Sequence, residues 1–133
     1  MELVVLGNPI TKKNSMQIVK NKSNGRWFMV PSKQYKKYEK DALAQIEAIG
    51  EPINTPVNIC YTFYMDTHRK TDGLNLSAAM DDILVKAHIL EDDNRDIVAG
   101  HDGTRVYYDK ENPRTEIRIT GVAEYEQWKS RET

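Results

Sequence analysis

The sequence predicts an α+β fold, a mixed or antiparallel sheet with its helices packed on one face as a two-layer sandwich. Three patterns predict it. Residues 56–65 alternate: Val57, Ile59, Tyr61, Phe63 and Met65 point one way, Asn58, Cys60, Thr62 and Tyr64 the other, which is the period of a half-buried strand. Tyr35, Tyr38, Ala42, Ile46 and Ile49 recur at spacings of three and four, so they share one face of a first helix. Leu76, Ala79, Met80, Ile83, Leu84 and Ala87 make the apolar stripe of a second helix, from about Asn75 to about Ala87.

The other elements follow in chain order. Glu2–Leu6 suits a strand, closed by Gly7-Asn8-Pro9. Residues 16–20 and 26–30 are short β-prone runs around Asn21-Lys22-Ser23-Asn24-Gly25, and Asn-Gly is a strong hairpin signal. This basic hairpin suits a DNA-contacting arm. Ser32, after Pro31, fits the N-cap of the first helix. Gly50 fits its stop. Lys33, Lys36, Lys37 and Lys40 fall toward solvent. Residues 95–108 and 114–121 read as paired strands joined by a turn at Asp109–Pro113, and 124–133 as a polar tail. Trp128 in that tail docks on a second subunit or packs back on its own domain.

The chain has 133 residues, enough for one domain, 1–133, with one core. It is 39% hydrophobic and 29% charged, as globular proteins are. No apolar run reaches the ~20 residues that span a bilayer, and the N-terminus has no basic region before its apolar stretch. Cys60, the single cysteine, reads as a small core residue and fits a cytoplasmic protein.

The net charge of −1 hides an asymmetry. Residues 12–40 hold nine basic residues and one acid, Glu39, a net of +8. Residues 72–109 hold nine acids against Lys86, Arg95 and Arg105, a net of −6. Basic side chains can hold phosphates, and clustered carboxylates can hold a hard cation. Two solvated faces that attract one another would show the same pattern.

The acids that matter most flank the second helix. Asp72 precedes it, in Lys70-Thr71-Asp72-Gly73-Leu74-Asn75, and Asp92-Asp93 follows, in Leu90-Glu91-Asp92-Asp93-Asn94. A helix of ~13 residues is ~20 Å long, so these carboxylates meet only if the chain turns back toward Asp72. Mg²⁺ keeps several waters and needs few carboxylates. Bound to them, it would neutralise a phosphodiester and activate a water. Asp82 supports such a site or pairs with Lys86 at i,i+4. Asn75 caps the helix, organises the site, or does both. Asp81 reads as a surface residue.

Beside these residues the chain resembles the RusA family of Holliday-junction resolvases, in the form carried by prophages. The resemblance rests on five ordered blocks: 7–15 (Gly7-Asn8-Pro9-Ile10-Thr11-Lys12-Lys13-Asn14-Ser15), Pro31–Glu39, Lys70–Leu84, Leu90–Asp93 and Asn112–Glu116. It implies a homodimer that binds four-way DNA junctions and cleaves them with Mg²⁺ (Mn²⁺ as a substitute), in DNA recombination and repair. Position by position, it implies Asp72, Asn75, Asp92 and Asp93 as catalytic residues, with Asp72, Asp92 and Asp93 on the metal and Asp82 supporting. Leu74 and Ala78 stand where the family has a second aspartate and a lysine. A junction-binding relative with weak or lost catalysis is therefore the alternative reading.

Lys12, Lys13, Asn14, Arg69 and Lys70 are the candidate DNA contacts, with His68 beside the last two. His88 suits a partner for the second helix's C-terminal dipole, and His101-Asp102-Gly103 a turn. Trp27 is either core or a base-stacking wedge.

Overall fold

The protein is described by a computed structural model covering residues 1–12 and 16–123. Lys13, Asn14 and the tail 124–133, with Trp128, lie outside the described residues. The elements run β1 (Glu2–Leu6), β2 (Met16–Lys20), β3 (Trp27–Pro31), α1 (Lys33–Gln45), β4 (Val57–Met65), α2 (Gly73–Lys86), β5 (Val98–Gly100), β6 (Arg105–Tyr108) and β7 (Arg114–Gly121). The main sheet has the order β1-β7-β4-β5, with β6 also on β4, while β2 and β3 form a separate two-stranded sheet. The α+β class and the mixed sheet are as the sequence predicts.

β4 organises the main sheet. β7 lies antiparallel along one side, from Val57↔Gly121 to Tyr64↔Arg114. On the other side β5 and β6 run parallel to β4, and α2 supplies the crossover that a parallel pair needs. Val57, Ile59, Tyr61, Phe63 and Met65 are all buried, as the alternation requires. They join Ile117, Ile119 and Val5 from the neighbouring strands, and Tyr38, Ala42, Leu76, Met80, Ile83 and Leu84 from the helices, in one core. Both helices therefore cover the same face of the sheet.

Ser32 caps α1 as expected: its Oγ accepts from the Tyr35 N–H at 3.1 Å, satisfying one of the donors a helix start leaves open. The C-terminal end differs from expectation. Ile46 is already extended, so the helix stops before Gly50, and Ile49 is exposed. Gly50 instead turns the loop, with φ +93°. α2 begins two residues before the expected start, because Asp72 rather than Asn75 takes the cap.

The reading of 95–108 and 114–121 as mutually paired strands is corrected. The first segment is two strands, and both pair with β4, not β7. The turn at Asp109–Pro113 exists, with the Asn112 N–H on Asp109 Oδ1 at 3.1 Å. It carries the chain past the end of β4 to the strand's far side. The break between β5 and β6 is a second turn, closed by the Thr104 N–H on His101 O at 3.1 Å. Gly103 serves it at φ +90°, where a Cβ would stand 3.1 Å from Cys60 Sγ. Cys60 is half-buried on the outer side of β4, not in the core.

Trp27 is not core either. It is 67% exposed, because β2 and β3 lie off the main sheet. Among the described residues, no helix is long and apolar enough to cross a membrane.

The core assignment carries a test. Leu84→Ala should lower unfolding free energy by ~2–5 kcal/mol, as buried truncations do, whereas Ile49→Ala should stay within about 0.5 kcal/mol. Equal urea midpoints for the two variants would contradict this packing.

Candidate functional site

Asp72 is built into the start of α2. Its backbone is extended, and Oδ1 accepts from the Leu74 N–H at 2.9 Å. A carboxylate there also meets the positive end of the helix dipole. Gly73 beside it lies against Val106 of β6, which a Cβ would approach to 3.6 Å. Asn75 is half-buried in the first turn, and Leu74 is 80% exposed. The preceding loop is held at two points. The Asp66 N–H donates to Asn8 Oδ1 at 2.9 Å, and the His68 ring stacks on Tyr108 with centroids 3.7 Å apart. Arg69 and Lys70 are exposed between these anchors and the helix.

Asp92 and Asp93 lie in the loop after α2. Asp92 folds back on its own loop, with Oδ1 accepting from the Asp93 N–H at 2.7 Å and Oδ2 from Asn94 Nδ2 at 3.1 Å. These bonds favour its charged form and hold its pKa below the ordinary carboxylate value. Asp93 is shifted the other way, upward, first by burial, then by its neighbour Asp92, and further by the charge of Asp81. The loop's ends are tied near the start of β4: the Glu91 N–H donates to Ile53 O at 3.0 Å, and the Val57 N–H to Ile97 O at 2.8 Å.

After α2 the chain turns back along the sheet. The segment that reaches Asp72's neighbourhood is β6, through Val106. Among the described residues, no three His, Cys, Asp or Glu side chains gather closely enough to hold a metal ion. Asp72 and the Asp92-Asp93 pair thus form no ready-made three-carboxylate cage. The donor set still suits Mg²⁺, which takes one or two carboxylates and completes its shell with water and phosphate oxygens.

The remaining candidates fall into two groups. Asp82 pairs with Lys86 at 3.3 Å, as its i,i+4 spacing allowed, and with Lys12 at 3.8 Å. Lys86 also reaches Glu39 of α1 at 3.0 Å, so Asp82 belongs to the contact between the helices. Arg69 and Lys70 stay in open solvent. His88 follows α2 in a left-handed backbone conformation, at φ 60°.

Sequence reasoning missed one arrangement. Asp81 is 5% exposed, not a surface residue. Tyr61 donates to its Oδ1 at 2.5 Å, and His101 Nε2 lies 2.8 Å from its Oδ2. Ser77, Asp81 and Leu84 share the inward face of α2, and all three are buried. The alternation of β4 had already turned Tyr61 inward, and a buried phenol needs a polar partner. That was the available signal. Burial first, then Asp81, pushes the Tyr61 hydroxyl pKa well up. His101 is raised above its ordinary 6.5, mainly by its hydrogen bond to Asp81, against the opposing effect of burial.

This pair links α2 to the turn between β5 and β6, and its contribution depends on pH. The folded state binds the His101 proton more tightly than the unfolded chain does. The resulting stabilisation is complete below about pH 6.5 and fades as pH rises through the higher folded value. Urea midpoints of the native chain should therefore drop as pH rises above about 6.5, and His101→Gln should flatten that slope. Parallel profiles for the two proteins would refute it.

Among curated proteins, none matches the chain. A family comparison matches residues 7–120 to the family described as endodeoxyribonuclease RusA. That span includes α1, the Asp72 cap, the buried Asp81 and the Asp92-Asp93 loop, and it covers most of the 133 residues. The chain belongs to the RusA endodeoxyribonuclease family.

Proposed function

We propose that this protein is a divalent-metal-dependent endonuclease that resolves four-way DNA junctions as a homodimer. The observation that carries the reading is the family match, which spans Asp72 and the Asp92-Asp93 loop in one stretch. Two further features support it. The acidic loop pairs a carboxylate held by the Asp93 N–H with Asp93 itself, whose charge is disfavoured first by burial and then by the like charge beside it. A cation relieves that repulsion. The loop before α2 presents Arg69 and Lys70 beside a helix start, and helix starts favour anions.

In this reading Asp92 and Asp93 hold the cation; Asp72 and Asn75 lie at the opposite end of α2 and do not share it within one chain. When bound, Mg²⁺ supplies charge neutralisation at the phosphate and a more acidic water. Arg69 and Lys70 position the phosphodiester, and Lys12, Lys13 and Asn14 contact the flanking backbone. The stack of His68 on Tyr108 keeps the Arg69–Lys70 loop in place. A two-fold dimer suits a junction, because symmetric cleavage needs two equivalent sites.

A second reading is favoured by one observation. Leu74 and Ala78 lie exposed on α2, an apolar surface where the family has a carboxylate and a lysine. A chain so built would bind junctions without cutting them.

A labelled four-way junction incubated with the protein and Mg²⁺ tests both. Paired nicks are expected, with Asp93→Asn reducing the rate by about 10²-fold or more, since metal-derived stabilisation is several kcal/mol. Binding without products across Mg²⁺ and Mn²⁺ would establish the second reading. No preference for the junction over linear duplex would defeat both.

A further inference from the structure

The β2–β3 hairpin stands apart as its own two-stranded sheet. Isolated hairpins are marginally stable in water, yet this one leaves its largest apolar groups exposed. The register pairs Ile18 with Met29 and Lys20 with Trp27, and Val19 with Phe28 in between. Alternation puts the first two pairs on one face and the third on the other. Ile18, Trp27 and Met29 are more than half exposed, and Phe28 is 44% exposed. Exposed apolar groups gathered in this way mark an interaction site.

The charge of the arm identifies the partner. Residues 16–31 contain Lys20, Lys22 and Arg26 and no acid. Lys20 Nζ lies 5.8 Å from the centre of the Trp27 ring, and Lys22 and Arg26 are exposed in the connecting turn. That turn is pinned: the Asn21 N–H donates to Arg26 O at 2.7 Å, and the Arg26 N–H to Asn24 Oδ1 at 2.9 Å. Rings interleaved with cations on a pinned arm fit a polyanion that also offers flat apolar faces. A second copy of this chain offers carboxylates in its segment 72–109, and oligomeric mass separates that occupant from nucleic acid.

We infer that the β2–β3 arm binds nucleic acid at unstacked bases, with Trp27 and Phe28 as stacking surfaces and Lys20, Lys22 and Arg26 on the adjoining phosphates. The inference rests on the proposed action on branched DNA and assigns the recognition of the branch to this arm. Inside a continuous duplex every base face is already covered by its neighbours. At a branch point or in a single strand the faces are open. The rings therefore contribute selectivity for structure, and the cations contribute affinity for any DNA.

The test measures binding of the full chain to a labelled four-way junction and to a linear duplex of equal length, in EDTA so that neither is cut. Trp27→Ala should weaken junction binding by roughly five- to a hundredfold, the range of base–aromatic stacking, and duplex binding by less than about twofold. Trp27→Phe should restore most of the loss. Replacing Lys20, Lys22 and Arg26 together by Ala should weaken both ligands and reduce the salt slope by up to about three. Melting of Trp27→Ala should match the native chain, since the ring is mostly in solvent. Unchanged junction affinity in Trp27→Ala would overturn the inference. So would a drop from dimer to monomer mass in light scattering, which would give the arm to a second copy. Failure of the native chain itself to prefer the junction would overturn the functional reading instead, and the native titration reports that independently.

Discussion

Strand β4 is the constraint on which the rest of the molecule depends. Its inward residues are all buried, and both of its edges are hydrogen-bonded, one antiparallel and one parallel. A one-residue slip would turn Val57, Ile59, Tyr61, Phe63 and Met65 toward solvent and bring Asn58, Cys60, Thr62 and Tyr64 inward. That loss is too large for the register to be ambiguous. With β4 set, α2 must lie across its inner face to return the chain for a parallel partner. The loop carrying Arg69, Lys70 and Asp72 then falls beyond one end of the strand. The residues holding the acidic loop fall near the other.

Local periodicity made much of this legible. The alternation of 57–65 identified the central strand and its buried side, and Ser32 marked the start of α1. What could not be read was pairing across long distances. Nothing in 95–108 distinguishes a strand that bonds to β7 from one that bonds to β4, because the choice depends on where α2 delivers the chain. Which of the two readings of Trp27 holds was hidden for a related reason: a large ring suits burial only if its strand joins the main sheet.

The candidate site was legible as a set of residue types and less so as a geometry. Asp72 proved to be the cap of α2, a structural duty compatible with a ligand role because a carboxylate has two oxygens. Asp81 shows the limit of pattern reading most clearly. An aspartate among apolar helix positions looks like a break in the stripe, yet it lies on the inward face, where a phenol and an imidazole satisfy it. Buried carboxylates persist when such partners are present. Finding the imidazole required knowing that the turn after β5 comes alongside α2. The charge asymmetry also resolves into parts. Some of the positive segment neutralises acids within the fold, as Lys12 does with Asp82, and some projects outward on the hairpin.

The pairing of β1 with β7 has a consequence for biogenesis. Glu2 lies opposite Arg118 and Leu6 opposite Arg114, so the first strand of this sheet to be synthesised must wait for β7. Until then β1 has no ladder partner, and β4 has only its parallel side to build. Sheets joined over such separations assemble slowly, since loop closure must precede the contacts that reward it. During synthesis Leu3, Val4 and Val5 therefore stay unpaired until residues 115–117 have been made. Holding such a segment away from other chains is a task for chaperones.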